Sequence, residues 1–259
     1  MQNPLISIII PVYNHAHTLK KTIEDIFRQT YRPLEVIVVN DGSTDDFETV
    51  ADECIEFVQT HFIGMGSMLS VLSQENKGAP SARNLGFANS KGEYVIFWDA
   101  DTLANPQMLE KMFNALQNNP NSAYAYSQFK FGWKIIKSQN FDADKLKQVN
   151  YIDTTSLIRR SALNCHPEQG EGSLSGSVIG PWDTSLKRFQ DWDLWLSLLE
   201  KNQTGVFVPE VLYKKIVEGR VGISNWMPSF IYKLPWKTER VRKYEEAKQI
   251  VLRKHGLSS

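Results

Sequence analysis

Four short apolar runs punctuate the first hundred residues, and each ends in a polar turn. Leu5-Ile6-Ser7-Ile8-Ile9-Ile10 is almost continuously apolar and β-branched, the pattern of a strand buried on both faces. Leu34 to Val39 is a second such run, closed by Asn40-Asp41-Gly42-Ser43. Leu69-Ser70-Val71-Leu72 and Tyr94-Val95-Ile96-Phe97-Trp98 predict two more strands. Between them apolar residues recur with the 3.6-residue period of a helix. Thr18 to Thr30 places Leu19, Ile23, Ile26 and Phe27 on one helical stripe, with His17 or Thr18 available as a cap. Asp45–His61, Pro80–Ala88 and Pro106–Leu116 read as further helices, Pro106 suiting a first turn.

Strands alternating with helices imply βαβ units, hence an α/β fold with a mainly parallel central sheet flanked by helices. Ligands of open α/β sheets bind beyond the carboxyl ends of the strands. Tyr13-Asn14, Asp41-Gly42-Ser43 and Asp99-Ala100-Asp101 all fall at such ends, so three polar turns converge on one crevice. The second half is less regular. Tyr124–Phe131 predicts a strand, Ser156–Leu163 a short strand and helix, and Val206–Val208 a short strand. Asp191–Lys201 predicts a helix with Leu194, Trp195, Leu198 and Leu199 inward, and the segment from about Lys237 to Lys254 a basic helix. His166–Gly180, rich in Gly and Ser, reads as a loop.

Composition adds one point. The 259 residues carry 29 basic and 29 acidic side chains, yet from Val211 onward there are 11 Lys/Arg against 4 Asp/Glu. A neutral chain with a basic end points to an anionic surface or substrate met by that end alone. Trp226, Trp236 and the basic helix suit peripheral contact with a membrane, although a helix packed on the domain with a solvated basic face has the same composition. Cys54 and Cys165 lie far apart and outside any CxxC spacing, which predicts two reduced thiols rather than a disulfide framework or thiolate metal site. No stretch approaches 18 apolar residues, and the opening lacks the basic leader of a signal peptide. The expectation is a cytoplasmic protein, peripheral at the membrane's inner face if the tail engages it, with no nucleic-acid partner.

Two carboxylates one residue apart at the end of a buried strand can face a shared cation, and Mn or Mg prefers carboxylate, water and phosphate oxygens. Asp99 and Asp101 meet that description. Asp-x-Asp is common by chance; its place after Tyr94–Trp98 is what gives it weight.

Ser7-Ile8-Ile9-Ile10-Pro11-Val12-Tyr13-Asn14 resembles the opening of family 2 glycosyltransferases, and so does Glu35-Val36-Ile37-Val38-Val39-Asn40-Asp41-Gly42-Ser43-Thr44-Asp45. Asn76-Lys77-Gly78-Ala79-Pro80-Ser81-Ala82-Arg83-Asn84-Leu85-Gly86 and Lys91 to Asp101 continue the match, and Gln190 to Leu196 resembles the family's Glu-Asp element. The resemblance implies a GT-A fold over residues 1–215, with a nucleotide-sugar half at 1–105 and an acceptor-side half at 106–215. Residues 216–259 form a basic C-terminal helical extension. It implies inverting transfer from a nucleotide-sugar donor, UDP-linked for preference, to a glycan or lipid-linked acceptor in surface polysaccharide assembly.

The resemblance also assigns residues. Pro11, Tyr13 and Asn14 wall the nucleotide pocket, Tyr13 stacking on the base, with an ordinary strand-end aromatic as its alternative. Asp41 accepts from the uracil N3–H, although Asp-Gly-Ser-Thr is equally good turn chemistry. Arg83 and Lys77 offer cations to the diphosphate, with a solvated surface charge the other reading, above all for Lys77. Asp99 and Ala100 contact the donor, and Asp99 and Asp101 hold the metal. Asp191 deprotonates the acceptor hydroxyl, a role that suits a carboxylate beside Phe189, Trp192 and Trp195; a helix cap is its alternative. Asp193 supports the helix start or the site from behind. His15 and His17 read as solvated turn residues.

Two departures from the family stand out. Gln190 replaces a frequent glutamate, and Glu218-Gly219-Arg220 stands where a histidine often follows Tyr213-Lys214-Lys215. A nucleotidyltransferase needs a Gly-rich, Arg-containing loop after the first strand and an oxidoreductase a GxGxxG turn; Pro11-Val12-Tyr13-Asn14 is neither. A non-catalytic nucleotide-sugar or glycan-binding protein remains the rival.

Overall fold

The computed structural model describes residues 3–62, 66–163, 180–216 and 239–257. Nine strands form one sheet: β1 (Ile6–Val12), β2 (Leu34–Asp41), β3 (Ser67–Gln74), β4 (Tyr94–Phe97), β5 (Thr102–Ala104), β6 (Ser122–Phe131), β7 (Lys134–Ile136), β8 (Leu157–Arg159) and β9 (Thr204–Lys215). Their order is β3-β2-β1-β4-β8-β6-β9-β5, with β7 paired to β6. The helices are α1 (Ala16–Phe27), α2 (Phe47–Phe62), α3 (Ala79–Asn89), α4 (Met108–Asn118), α5 (Ala143–Gln148), α6 (Arg160–Leu163), α7 (Gln190–Glu200) and α8 (Glu239–Lys254).

The expected parallel sheet is confined to β3, β2, β1 and β4. From β4 onward it is mixed: β8 runs antiparallel to β4 and to β6, β9 parallel to β6, and β5 antiparallel to β9. In the first half α1, α2 and α3 each carry the chain back between successive strands, as parallel pairing requires. In the second half only β6 and β7 are joined by a short return; the other antiparallel pairs bring together strands remote in sequence. Three elements escape a periodicity reading because they are so short: β5 and β7 have 3 residues each and α5 has 6.

β1 and β2 are almost wholly buried because helices cover both faces. Alternate side chains go to opposite cores. Ile6, Ile8 and Ile10 pack with Leu19, Ile23 and Ile26 of α1, whereas Ile9 meets Phe97 and the α7 residues Trp192 and Trp195. The α1 stripe is as expected, but its cap is not. His15, rather than His17 or Thr18, occupies the N-cap position, and the Asp45 carboxylate receives the Ala16 N–H at 2.9 Å.

On the other face α3 lies flush on the sheet. A Cβ at Gly86 would collide with Cγ2 of Ile9 and come within 3.2 Å of Cγ2 of Val39. Both neighbours are β-branched strand residues that cannot swing aside. Gly86→Ala is therefore expected to destabilise the fold by about 1–3 kcal/mol, read from the urea midpoint at unchanged slope.

The basic helix α8 packs back on the domain at its last turn. His255 bridges Glu200 and Asp193 at 2.7 and 2.9 Å, and Lys254 pairs with Asp183 and Asp193 at 2.6 and 2.8 Å. Asp193 thus anchors α8 from behind α7. Trp226 and Trp236, read as membrane-facing, lie outside the described residues, as do Cys165, His166, Glu218 and Arg220. Among the described residues no helix is long and apolar enough to cross a membrane.

Candidate active site

The parallel register sets out the crevice floor. Pro11 lies opposite Val39 and Val12 opposite Asn40, so Tyr13 stands beside Asp41 as the two strands end. Ile9 lies opposite Phe97, which brings Pro11 level with Asp99 two residues on. The β1 and β2 turns are tied to each other. Asn14, held in the left-handed region at φ 54°, accepts from the Thr44 N–H at 2.8 Å, and its own N–H reaches the Ser43 hydroxyl at 3.0 Å. Tyr13 is 47% exposed, so its ring is presented to solvent at the rim.

Asp41 is buried and its carboxylate is well used. It accepts from the Gln74 amide at 2.7 Å and from the backbone N–H groups of Lys77 and Gly78 at 2.8 and 2.9 Å. It therefore fixes the start of α3, an anion at a helix N-terminus. A carboxylate offers about four acceptor positions, so one remains for a base edge, and the turn and recognition readings are compatible. Lys77 contributes its backbone here while its side chain is exposed.

Arg83 projects from α3 to the end of β4. Its Nη2 donates to Asp99 Oδ1 at 3.0 Å, and the guanidinium stacks 4.6 Å from the Trp182 ring centre. The other Asp99 oxygen accepts from Lys215 Nζ at 2.9 Å, and the same ammonium reaches Asp153 Oδ2 at 2.9 Å. Asp153 in turn accepts from the Tyr213 hydroxyl at 2.9 Å. Burial alone would raise the Asp99 pKa; Lys215 and Arg83 outweigh it and hold the carboxyl well below the usual range. Burial likewise opposes the charge on Lys215, but Asp153 and Asp99 prevail and raise it.

Asp101 behaves differently. Its Oδ1 is buried without a hydrogen-bond partner, and burial followed by the charge of Asp99 raises its pKa. His15, read as solvated, is partly buried with Nδ1 also unpartnered; its ring stacks on His17 at 5.6 Å and lies within the field of Asp101. Among the described residues no cluster of three or more His, Cys, Asp and Glu side chains forms a ready-made cation site. The orphaned Asp101 oxygen nevertheless suits a hard cation that completes its shell with phosphate oxygens and water. Asp99, expected to share that cation, has both oxygens on Arg83 and Lys215 instead.

Asp191 faces this network from the first turn of α7. The cap position belongs to Phe189 in the left-handed conformation at φ 59°, so Asp191 is a helical residue rather than the cap. Its Oδ2 accepts from the Asn150 amide at 2.7 Å and its Oδ1 from the Trp192 N–H at 2.9 Å. Burial, with a contribution from Asp153, pushes its pKa up to about 6, against the opposing fields of Lys215 and Arg83. Gln190 turns away, donating to the Leu186 carbonyl at 2.7 Å.

No sequence motif marks Lys215, Asp153 or Asn150 as part of the site. The strand expected over Val206–Val208 stops short of Lys215, where Pro209 follows the apolar run. In the structure β9 continues through an irregularity, with Ser127 opposite Val208 but Gln128 opposite Val211. Proline is tolerated in strands at such bulges.

A family model for glycosyl transferase family 2 matches residues 7–166. The chain belongs to that family. An uncharacterized glycosyltransferase of Rickettsia typhi is 33% identical over 227 residues, covering 83% of this chain and 64% of that protein. The chain thus spans somewhat less than two thirds of that relative. Among solved structures, Staphylococcus aureus TarS 1–349 in complex with UDP-GlcNAc superposes with a TM-score of 0.65 at 16% identity, over 97% of this chain and 65% of that one. The mannosyltransferase PcManGT from Pyrobaculum calidifontis, in complex with GDP-Man and Mn2+, gives 0.60 at 20% identity over 85% and 59%. These glycosyltransferase neighbours share the mixed, helix-flanked sheet, which is the GT-A fold the family resemblance implies.

Proposed function

We propose that this family 2 chain transfers a sugar with inversion from a nucleotide-diphosphate donor, a UDP-sugar in the first instance, to a glycan or lipid-linked acceptor in cell-surface polysaccharide assembly. The observation that carries this reading is the pairing of two unlike sites in one crevice. On one side Arg83 and Lys215 gather positive charge at Asp99; on the other Asp191 is a carboxylate whose pKa is brought to about 6. UDP and UDP-GlcNAc in the TarS complexes support the choice of donor, and GDP-Man in PcManGT keeps the base open to test.

The donor's base lies against Tyr13 beside Asp41, and its diphosphate reaches Arg83 and Lys215 by charge-assisted hydrogen bonds. Asp191 takes the proton of the acceptor hydroxyl as that oxygen attacks the anomeric carbon, and Asn150 fixes which carboxylate oxygen is free to do so. A divalent cation held at Asp101, Mn or Mg, supplies Lewis-acid stabilisation of the departing diphosphate when bound. Asp99 positions the two protein cations that supply the remaining charge.

A panel of nucleotide sugars tests the reading by thermal shift and by release of the nucleoside diphosphate. UDP and one UDP-sugar at about 100 times their Kd are expected to stabilise the fold by about 2.7 kcal/mol, with a larger shift in Mn and slow UDP release. Stabilisation indifferent to Mn removes the metal at Asp101. Binding with no release from any donor favours a non-catalytic binding protein.

A further inference from the structure

The hairpin of β6 and β7 stands out among the described residues. Trp133 at its tip is 94% exposed, whereas Trp98, Trp182, Trp192 and Trp195 are buried. Ile135, two residues on, is 41% exposed. From residue 111 to residue 141 the chain contains no aspartate or glutamate, yet it carries Lys111, Lys130, Lys134 and Lys137. Lys111 of α4 is paired with Glu210 of β9.

The strand register sharpens the picture. Lys214 of β9, Lys130 of β6 and Ile135 of β7 lie side by side in one row across three strands, all three exposed. Like charges directly opposite one another in a sheet are unfavourable. The acid whose field Lys214 shares is Asp25. Lys215 belongs to the opposite face and is tied to Asp99 and Asp153. An outward face of lysines around an exposed Trp and Ile has the composition of an interfacial membrane anchor, in which the ring sits at headgroup level and the ammonium groups meet lipid phosphates.

We propose that this hairpin seats the protein on an anionic lipid bilayer, with Trp133 and Ile135 in the interfacial layer and Lys130, Lys137 and Lys214 among the headgroups. The register also says what docking does for the site. Phe131 lies opposite Lys215, so the tip begins two residues, about 7 Å, beyond the crevice wall. A seated hairpin thus holds the crevice mouth at the headgroup layer, where the sugar-bearing end of a lipid-linked acceptor lies. That consequence rests on the proposed reaction; the docking itself does not.

The full chain is sedimented with vesicles of phosphatidylcholine alone and with about 30% phosphatidylserine, at about 0.1 M salt. Retention by the anionic vesicles only is expected. Trp133→Ala should weaken partitioning roughly tenfold, and Lys130→Glu with Lys137→Glu by at least about 25-fold, taking about fivefold per lysine removed. Both variants should keep the wild-type thermal shift with UDP, which separates loss of docking from loss of the donor site. Equal retention by neutral vesicles, no retention at all, or retention unchanged in both variants overturns the proposal. So does quenching of the Trp133 fluorescence by soluble oligosaccharides but not by vesicles, which would make the tip a glycan platform.

Discussion

Asp191→Asn should lower transfer by about 10²- to 10⁴-fold while leaving stabilisation by UDP unchanged, because the substitution removes the base and one acceptor within α7, apart from the donor contacts. The amide is isosteric with the carboxylate and can still accept from Asn150 through its one oxygen, while the bond from the Trp192 N–H is lost. Steady-state rates against titrated donor binding check this; a variant that loses both has lost a structural residue, and one that keeps both has lost nothing catalytic. The pH dependence gives a second handle. A base works deprotonated, and Asp191 is pushed up to about 6. Turnover should rise with pH, pass half its maximum near that value and be flat at pH 7.5. Stability moves the other way. A carboxyl whose pKa is higher in the folded chain favours folding when protonated, so part of that stability disappears as pH rises from about 4 to about 6. Asp191→Asn lacks this cost and should be more stable than the wild type at pH 7.5, by about 1–2 kcal/mol.

That Tyr13, Asp41 and Asp99 come together at one edge of the sheet was legible in the sequence, because these residues sit at the ends of strands that announce themselves. Ile6–Val12, Leu34–Asp41 and Tyr94–Phe97 are apolar runs buried on both faces, and the residues just beyond such a run must lie at the sheet's edge. Arg83 was legible for a related reason: α3 starts at Gly78-Ala79-Pro80, so the turn bearing Arg83 is fixed relative to the sheet. The surroundings of Asp191 were not. Asn150 and Asp153 lie in an irregular stretch between α5 and β8, where no period places a side chain. The family resemblance singled out Asp191, whereas periodicity alone shows it only as one of two acids at a helix start. Local sequence does not say that Asp193 faces Lys254 and His255 while Asp191 faces the crevice; the packing of α8 decides it. The mixed half of the sheet was hidden likewise, because strand direction there depends on pairings between β4, β8 and β6 that are remote in sequence.

Lys215 is where that blind spot has the largest consequence. Its side chain is 14% exposed and its ammonium lies 2.9 Å from a carboxylate oxygen of each of Asp99 and Asp153. Lys215→Met keeps the length of the side chain and removes the charge, leaving two buried carboxylates short of a partner. Breaking a buried pair from one side costs about 3–5 kcal/mol, and a loss in that range is expected in denaturant unfolding. Asp153→Asn in the same chain should recover part of it, since one of the stranded charges then goes. Donor affinity should not recover with stability. The diphosphate has lost a charge-assisted contact of about 1.5–3 kcal/mol, so KM for the donor should remain raised by about 10- to 100-fold in the double variant. The pH profile reports a third consequence. Lys215 lowers the pKa of Asp191 through space, so in Lys215→Met the midpoint of turnover should move above about 6, whereas Lys215→Arg should hold it in place. Recovery of donor affinity together with stability would reduce Lys215 to a structural cation. An unmoved midpoint would show that it acts on the diphosphate alone and not on the base across the crevice.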